Sequence, residues 1–394
     1  MPPHEPHYIY KDKGLIMSFK NTPYQSLINL QQVCLKQNIP FVSYRQPLQT
    51  EITTFVQHQY FPKKFDFTNQ IESIRGFVIA PFFETDACAS FILEPDAVFT
   101  PDDITPEFIL SLSRNVRFLD AEKPSGKDIT TTSRNEFMKE VNDAKLVMSE
   151  CKFHKVVLSK VRVQQLADDF EASTFYLRLC EKYPHAFVYM LQLPEVGCWI
   201  GATPEPLLIV EEGKVQTVSL AGTQLATGIE TEDYVWSDKE IEEQGIVTGY
   251  VEKTLRSLQI KNYTLNGPAN YKAANLIHLR TGFEFKESDL GNRLGDFLKA
   301  LHPTPSVGGL PKEAARTFIL EHENYNRTYY SGFLGPVNIE GKSQVFVNLR
   351  CLQLFDKQFV LYSGAGITAS SIAEKEWDET DNKMMTMLNA MQPI

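Results

Sequence analysis

Several apolar segments of this chain are separated only by short turns, and segments joined in this way pair as antiparallel strands. Residues 207–210 and 215–218 flank Glu211-Glu212-Gly213-Lys214, in which glycine supplies the positive φ of a tight hairpin turn. Later strands are predicted at 329–339, 344–354 and 359–363, joined by Glu340-Gly341 and Asp356-Lys357. Because strands that are neighbours in sequence reverse direction, the pattern favours an α+β fold over a doubly wound parallel sheet.

Helical segments are interspersed with these strands. We predict helices at 24–36, 136–151, 173–182, 237–258, 290–301, 311–323 and 372–391. No Gly/Ser/Pro-rich linker or fixed-period repeat divides the 394 residues, so we expect a single large domain over residues 17–394. Residues 1–16 are predicted to be an unstructured lead-in.

The charge balance and the lack of long apolar runs exclude two classes of partner. The chain has 49 acidic against 39 basic residues and a net charge of −10, the opposite sign from a surface that neutralises phosphates, so we expect no nucleic-acid partner. No run approaches the roughly 20 apolar residues of a membrane span, and residues 1–7 lack a cationic leader. We therefore expect a cytoplasmic protein, and a monomer because no coiled-coil heptad is present.

Carboxylates recur on two predicted helices at spacings that align them on one face. Glu240 and Glu243 stand three apart on one helix, and Glu376, Glu379 and Lys383 follow the i, i+3, i+7 pattern on the last one. Either set taken alone is typical of a solvated surface stripe. Together, two such helices could hold a hard divalent cation through carboxylate oxygens, a pattern that suits Mg²⁺ better than zinc.

Three further features are candidates for anion binding. Gly364-Ala365-Gly366 follows a strand and precedes the last helix, so its amides could approach an anionic ligand, although a bulge or tight turn explains it equally well. Arg350 carries a planar guanidinium suited to a carboxylate, or to a surface ion pair. Residues 302–311 combine prolines and glycines in a rigid loop, and such loops commonly build sites.

The order of these segments resembles that of the chorismate-utilising enzymes, a family that includes isochorismate, salicylate, anthranilate and aminodeoxychorismate synthases. The resemblance is weak over residues 17–130 and specific over 131–394, which we take as the catalytic region. The motifs that carry it are Lys155–Lys160, Gly201–Glu205, Ala221–Thr223, Ser237–Val247, the loop at 302–311, Tyr329–Pro336, Arg350 and Gly364–Lys383.

The resemblance implies two antiparallel β-sheets packed face to face with helices outside, and magnesium-bound chorismate as the substrate. By motif position, Glu243 and Glu379 would bind Mg²⁺, with Glu376 close by. The groups implied to hold the substrate carboxylates are Arg350, Tyr330, Lys383 and the amides of Gly364 and Gly366. His302 and Thr223 are implied to line the ring pocket.

The resemblance also implies an activity, the isomerisation of chorismate to isochorismate. Lys155 stands at the position of the family's water-activating lysine, and Glu205 at that of the acid that protonates the leaving hydroxyl. A lysine accepts a proton only when neutral, which requires desolvation or nearby positive charge, whereas Glu205 must be protonated.

Three alternatives remain beside this reading. A salicylate synthase uses the same Lys/Glu pair and then eliminates pyruvate. Amine-adding members fit less well, since aminodeoxychorismate synthases carry a lysine where this chain has Ala221 and anthranilate synthases usually lack one at Lys155. A catalytically dead homologue would be expected to have lost its titratable groups, and all of them are present.

Overall fold

The computed structural model describes residues 24–114, 125–226, 233–273 and 276–392. The predicted lead-in at residues 1–16 lies outside this part of the chain. Over the described ranges, the hairpins expected from short turns are present and the paired strands run antiparallel. In the hairpin turn at 211–214, Glu212 and Gly213 both have positive φ, which suits the right-handed twist of the flanking strands.

Seven of the helices that the structure describes correspond to predicted ones, whereas three short helices, at 67–70, 106–113 and 287–290, were not predicted. The helices of the described ranges are α1 (Gln25–Gln37), α2 (Phe67–Gln70), α3 (Pro106–Ser113), α4 (Arg134–Ser149), α5 (Ala172–Lys182), α6 (Asp238–Ser257), α7 (Glu287–Leu290), α8 (Leu294–Leu301), α9 (Lys312–His322) and α10 (Ala373–Met391).

The strands form two nine-stranded sheets. Sheet I contains β1 (Phe41–Arg45), β2 (Ile52–Val56), β6 (Ala97–Phe99), β7 (Lys155–Gln165), β8 (Phe187–Leu193), β9 (Gly197–Thr203), β14 (Gly309–Leu310), β17 (Cys351–Leu354) and β18 (Gln358–Ile367). Sheet II contains β3 (Lys63–Lys64), β4 (Gly76–Ala80), β5 (Phe91–Leu93), β10 (Pro206–Glu211), β11 (Lys214–Leu225), β12 (Tyr263–Ala273), β13 (Leu276–Lys286), β15 (Phe333–Val337) and β16 (Ser343–Val347). Each sheet includes strands from the weakly matching first third, so that region belongs to the same domain.

The two sheets pack face to face through a layer of large buried side chains. Phe187 of β8 stacks on Phe346 of β16, with ring centroids 4.3 Å apart and planes 9° apart. Tyr44 and Trp199 from sheet I and Phe77 from sheet II lie in the same buried cluster. Aromatic side chains of this size bury large apolar areas and dominate the energetics of such a layer. The predicted fold class is confirmed.

Helices cover the outer faces of both sheets. The apolar sides of α5 and α10 join the core against sheet I, with Leu179 and Met387 among their buried residues. On sheet II, α6 and α8 contribute Val251 and Leu298. No helix in the described ranges has both the length and the apolar character needed to cross a membrane.

The strand predicted at 344–354 is wrong as a single element. The chain leaves β16 in sheet II at Val347 and enters β17 in sheet I at Cys351, so Asn348, Leu349 and Arg350 form a crossing between the sheets. Arg350 has a φ of +48°, which β structure does not allow. A continuous apolar pattern could not reveal this break, because both halves are buried.

The long hairpin of β12 and β13 was not predicted. Gly267 and Pro268 lie inside β12 and read as turn residues in the sequence. In the structure the register shifts between Asn266 and Ala269, which identifies the pair as part of a bulge within the strand.

A buried ion pair between Glu323 and Arg327 connects β7 of sheet I to the segment that follows α9. Arg327 Nε donates to Glu323 Oε2 at 2.7 Å, and its Nη2 donates to the carbonyl of Val157 in β7 at 2.7 Å. Glu323 Oε1 accepts hydrogen bonds from the amide and hydroxyl of Ser159. The side chains of both partners are 2% exposed, so each charge depends on the other for compensation.

Replacing Arg327 with methionine should therefore lower the free energy of unfolding by about 3–5 kcal/mol, because it leaves a buried carboxylate without its partner. The melting midpoint measures this loss. The control is Lys139→Met, which removes an exposed ion pair with Asp143 and should leave the midpoint unchanged. Equal midpoints for the two variants would contradict the role given to the buried pair.

Candidate functional site

A small cavity of ≈ 60 Å³ lies between the sheets, where two of the chain's crossings between the sheets meet helices α6 and α10. β18 and β11 form two of its walls, and α6 and α10 supply charged side chains. Eight of the predicted site residues line it: Glu205, Thr223, Glu243, Tyr330, Arg350, Gly364, Gly366 and Lys383. The structure thus brings together residues that are up to 178 positions apart in the printed numbering, between Glu205 and Lys383.

Arg350 is held in this cavity from three sides. Its Nη1 donates to the hydroxyl of Thr386 in α10 at 3.2 Å, and its Nη2 lies 3.3 Å from Nε2 of His278. Its carbonyl accepts from the amide of Ala202 in β9 at 3.0 Å. Burial lowers the pKa of Arg350 to about 10, which still leaves it charged at neutral pH. A buried, charged guanidinium with fixed geometry is well suited to binding a carboxylate.

His278 orients Arg350 and was missed in the sequence. Its Nδ1 lies 2.9 Å from the carbonyl of Gly222, and since a carbonyl only accepts, Nδ1 carries the proton and Nε2 accepts from Arg350. Burial, reinforced by the charges of Arg350 and Lys383, holds the pKa of His278 well below its usual value. The sequence signal was weak: one histidine in the apolar run 276–279, inside a hairpin that was not recognised.

Glu205 lies on a second crossing between the sheets, after β9 ends at Thr203 and before β10 begins at Pro206. Its carbonyl accepts from the amide of Val347, so this crossing is hydrogen-bonded to the end of β16, directly before the crossing that carries Arg350. Burial raises the pKa of Glu205 to about 7, although Lys155, Lys383 and Arg350 act to lower it. A substantial fraction of this carboxyl is therefore protonated near neutral pH, as a general acid requires.

Lys155, the first residue of β7, is fully buried beside Glu243 of α6. Its Nζ lies 2.9 Å from Glu243 Oε1, and no part of its side chain is exposed. The ion pair is therefore almost completely enclosed by protein, since the Glu243 side chain is only 11% exposed. Gly366 of β18 makes room for this pair, since a Cβ there would lie 2.1 Å from Glu243 Oε1.

The wall of the cavity formed by β18 also places Gly364 beside two polar groups. Its carbonyl accepts a hydrogen bond from Lys383 Nζ at 2.8 Å. A Cβ at Gly364 would lie 3.1 Å from the Tyr330 hydroxyl. A side chain at Gly366 would thus collide with Glu243, whereas one at Gly364 would only crowd the Tyr330 hydroxyl.

Glu376 and Glu379 of α10 lie on the far side of Glu243, where each of the three carboxylates has a lysine partner. Lys239 Nζ lies 2.6 Å from Glu376 Oε1, and Lys383 Nζ lies 2.6 Å from Glu379 Oε1. Burial and the neighbouring Glu379 raise the pKa of Glu376. Lys239, Glu376 and Glu379 also line an adjoining cavity of ≈ 480 Å³.

Lys239 is a second residue that was missed in the sequence. Burial would lower its pKa, but the carboxylates of Glu379, Glu376 and Glu243 outweigh burial and hold it above the usual value. It therefore lies within electrostatic reach of all three predicted metal ligands. Its position four residues before Glu243 on a predicted helix was the available signal.

His302 does not lie where the resemblance implied. Its Nε2 lies 3.0 Å from the carbonyl of Pro81, and its ring packs edge-on against Phe333, with centroids 5.0 Å apart. Burial lowers its pKa to about 4. His302 thus packs behind the cavity wall. From the loop at 302–311, Ser306 and Val307 line the cavity instead. Thr223, by contrast, lines the cavity as expected and contacts His278.

Comparison with known proteins shows the family to which this chain belongs. The family model described as "Chorismate binding enzyme" matches residues 25–392. Isochorismate synthase EntC of Escherichia coli (strain K12) is 31% identical over 241 residues, which cover 60% of this chain and 61% of that protein. The salicylate biosynthesis isochorismate synthase of Pseudomonas aeruginosa is 29% identical over 284 residues, covering 69% of this chain and 59% of that protein. The chain thus matches about three fifths of the length of these relatives.

A solved structure supports the fold over nearly the whole chain. The putative 2,3-dihydroxybenzoate-specific isochorismate synthase DhbC from Bacillus anthracis superposes with a TM-score of 0.73 and 22% identity, covering 93% of this chain and 99% of that one. Together with the family match over residues 25–392, these findings identify this chain as a member of the chorismate-binding enzyme family.

Proposed function

We propose that this protein is a magnesium-dependent isochorismate synthase, which converts chorismate to isochorismate. The observation that carries the proposal is a buried lysine, Lys155, which is paired with Glu243 of the cavity wall and acts electrostatically on a buried carboxyl in the same wall, Glu205, whose pKa is raised to about 7. Lys155 itself lies just behind the cavity lining. An isomerisation that adds water and loses hydroxide needs one base and one acid together. The names of the relatives from Escherichia coli and Pseudomonas aeruginosa support this choice.

The reaction balances without a redox partner. Water adds at ring C2 as Lys155 accepts its proton, the ring double bonds shift, and the C4–O bond breaks as Glu205 protonates the leaving hydroxide. Product and substrate are therefore isomers. Arg350 and Lys383 are proposed to bind the two carboxylates of chorismate, with Tyr330 beside them, because all three line the same cavity.

The carboxylate cluster fits a magnesium ion by its donor chemistry. Glu243 comes from α6 and Glu376 and Glu379 from α10, and all three carboxylates act on the ammonium group of Lys239. Among the described residues they do not yet form a ready-made metal site, so the proposal requires their side chains to close around the ion. Oε2 of Glu376 is buried with no hydrogen-bond partner among the described residues, and an ion would satisfy it. We propose that these three residues hold Mg²⁺, which when bound supplies positive charge to a substrate carboxylate.

The cavity has to widen when the substrate binds. Its ≈ 60 Å³ accommodates a few water molecules rather than a ring with two carboxylate groups. Lys383 and Glu379 are partly exposed, at 16% and 19%, which makes them the side chains best able to move. The buried Arg350 and Glu205 would stay in place and define the fixed part of the site.

Product analysis tests the proposal directly. Purified protein incubated with chorismate and Mg²⁺ should form isochorismate without fluorescent salicylate and without pyruvate. Stoichiometric salicylate and pyruvate would instead identify a salicylate synthase. Unchanged chorismate after long incubation would point to a homologue without catalytic activity.

Replacing Lys155 with methionine should lower kcat by about 10²–10⁴-fold, because methionine keeps the buried volume but cannot accept a proton. Chorismate binding should persist, since the proposed carboxylate contacts lie on other residues. The matched control is Lys152→Met, in the exposed turn before β7. Full turnover by the Lys155 variant would remove the base assignment.

The pH dependence of kcat/KM should reflect Glu205. Its raised pKa of about 7 means that the protonated acid predominates below this pH and is lost above it. We therefore expect kcat/KM, which reports the free enzyme, to fall as the pH rises through about 7. Glu205→Gln should abolish most activity together with this limb of the profile. A wild-type profile that stays flat across about pH 6–8.5 would contradict the acid role.

A further inference from the structure

Lys239 joins the two helices that carry the carboxylate cluster. It lies in the first turn of α6, and its Nζ contacts Glu376 Oε1 of α10 at 2.6 Å. The Glu376 side chain is 2% exposed, whereas that of Lys239 is 19% exposed. The contact is therefore a short, largely desolvated ion pair that joins the two helices through residues 137 positions apart in sequence.

The ammonium group of Lys239 also lies within reach of Glu243 and Glu379, the other two carboxylates of the cluster. Three like charges gathered in a partly buried site repel one another, and a cation among them relieves that repulsion. Lys155 and Lys383 also pair with this cluster, but both have a part in the proposed reaction. No step of that reaction uses Lys239, so its place among the carboxylates calls for another explanation.

We propose that Lys239 competes with the divalent cation for Glu376 and so sets the affinity of the site for the metal. This inference rests on the proposed function, because it takes the three carboxylates as the Mg²⁺ ligands. Lys239 is a positioning residue: its ammonium holds α6 to α10 through Glu376, and it withdraws when the ion binds those oxygens.

Electrostatics gives the direction of the effect. An ammonium group and a divalent ion bound to the same carboxylates repel each other, so binding the ion costs the free energy of displacing Lys239. Displacement is feasible because Lys239 lines the adjoining cavity of ≈ 480 Å³ and is already in part exposed to solvent. Removing the competing charge should tighten metal binding, while helix packing in the absence of metal should weaken.

A purely structural ion pair predicts a different result. If Lys239 only fastened the helices together, its loss would lower the melting midpoint equally with and without Mg²⁺. The metal affinity would then stay the same or fall. Metal affinity and the increase in midpoint on adding Mg²⁺ therefore separate the two roles, and neither readout depends on turnover.

The experiment compares Lys239→Met with Lys239→Arg, which keeps the charge, and with Lys253→Met, which removes an exposed lysine further along α6. Calorimetric titration with MgCl₂ alone should give a dissociation constant about tenfold tighter for Lys239→Met. The arginine and Lys253 variants should resemble the wild type. In EDTA the melting midpoint of Lys239→Met should be lower than that of the wild type, and Mg²⁺ should raise it by more.

An unchanged or weaker dissociation constant for Lys239→Met, with normal Mg²⁺ uptake and chorismate turnover by the wild type, would overturn this inference alone. Wild-type protein that neither binds Mg²⁺ nor consumes chorismate would overturn the proposed function as well. If Lys239→Met fails to fold, Lys239→Gln, which keeps polarity but not charge, takes its place with the same expected shifts and the same contradicting outcomes.

Discussion

Two neighbouring crossings of the chain between the sheets are the constraint on which the site depends. One runs from β9 to β10 and carries Glu205, and the other runs from β16 to β17 and carries Arg350. They are hydrogen-bonded to the surrounding strands, through Val347 to the carbonyl of Glu205 and through Ala202 to that of Arg350. Elsewhere the layer between the sheets is filled by rings such as Phe187 and Phe346. At these two crossings the buried backbone turns and directs charged groups inward.

Charge balance explains why so many ionisable groups tolerate burial there. Lys155, Lys239 and Lys383 each pair with one carboxylate of the cluster. Burial raises the pKa of Glu205 to about 7, so this carboxyl is partly protonated near neutral pH, which reduces the cost of removing its charge from water. Burying an unpaired charge is costly, and paired or protonated groups reduce that cost. The arrangement leaves Arg350 as the cation without a carboxylate partner among the described ion pairs, which fits a proposed role in receiving an anionic ligand.

Local patterns in the sequence predicted elements well, and the motif order predicted which residues would meet. The turn at 211–214 and the acidic start of α6 have short-range causes, a positive φ and a capping contact from Glu240 to the Ser237 amide at 2.8 Å, so both could be read from the chain. The break at Asn348–Arg350 could not be read from the chain, because the residues before and after it show the same apolar pattern of a buried strand. His278 and His302 depended on tertiary partners, the carbonyls of Gly222 and Pro81, that no spacing rule reveals.

Gly366 has a consequence for ligand binding that follows from its missing side chain. Together with Gly364, it makes this wall of the cavity out of peptide groups, against which Glu243 and Tyr330 lie closely. Ordering a long side chain such as Lys or Arg costs about 1.5–2 kcal/mol of rotamer entropy, whereas glycine has none to lose. The β18 wall therefore has the same shape with and without a bound molecule. The entropic cost of ordering side chains on binding falls on the helical side of the cavity.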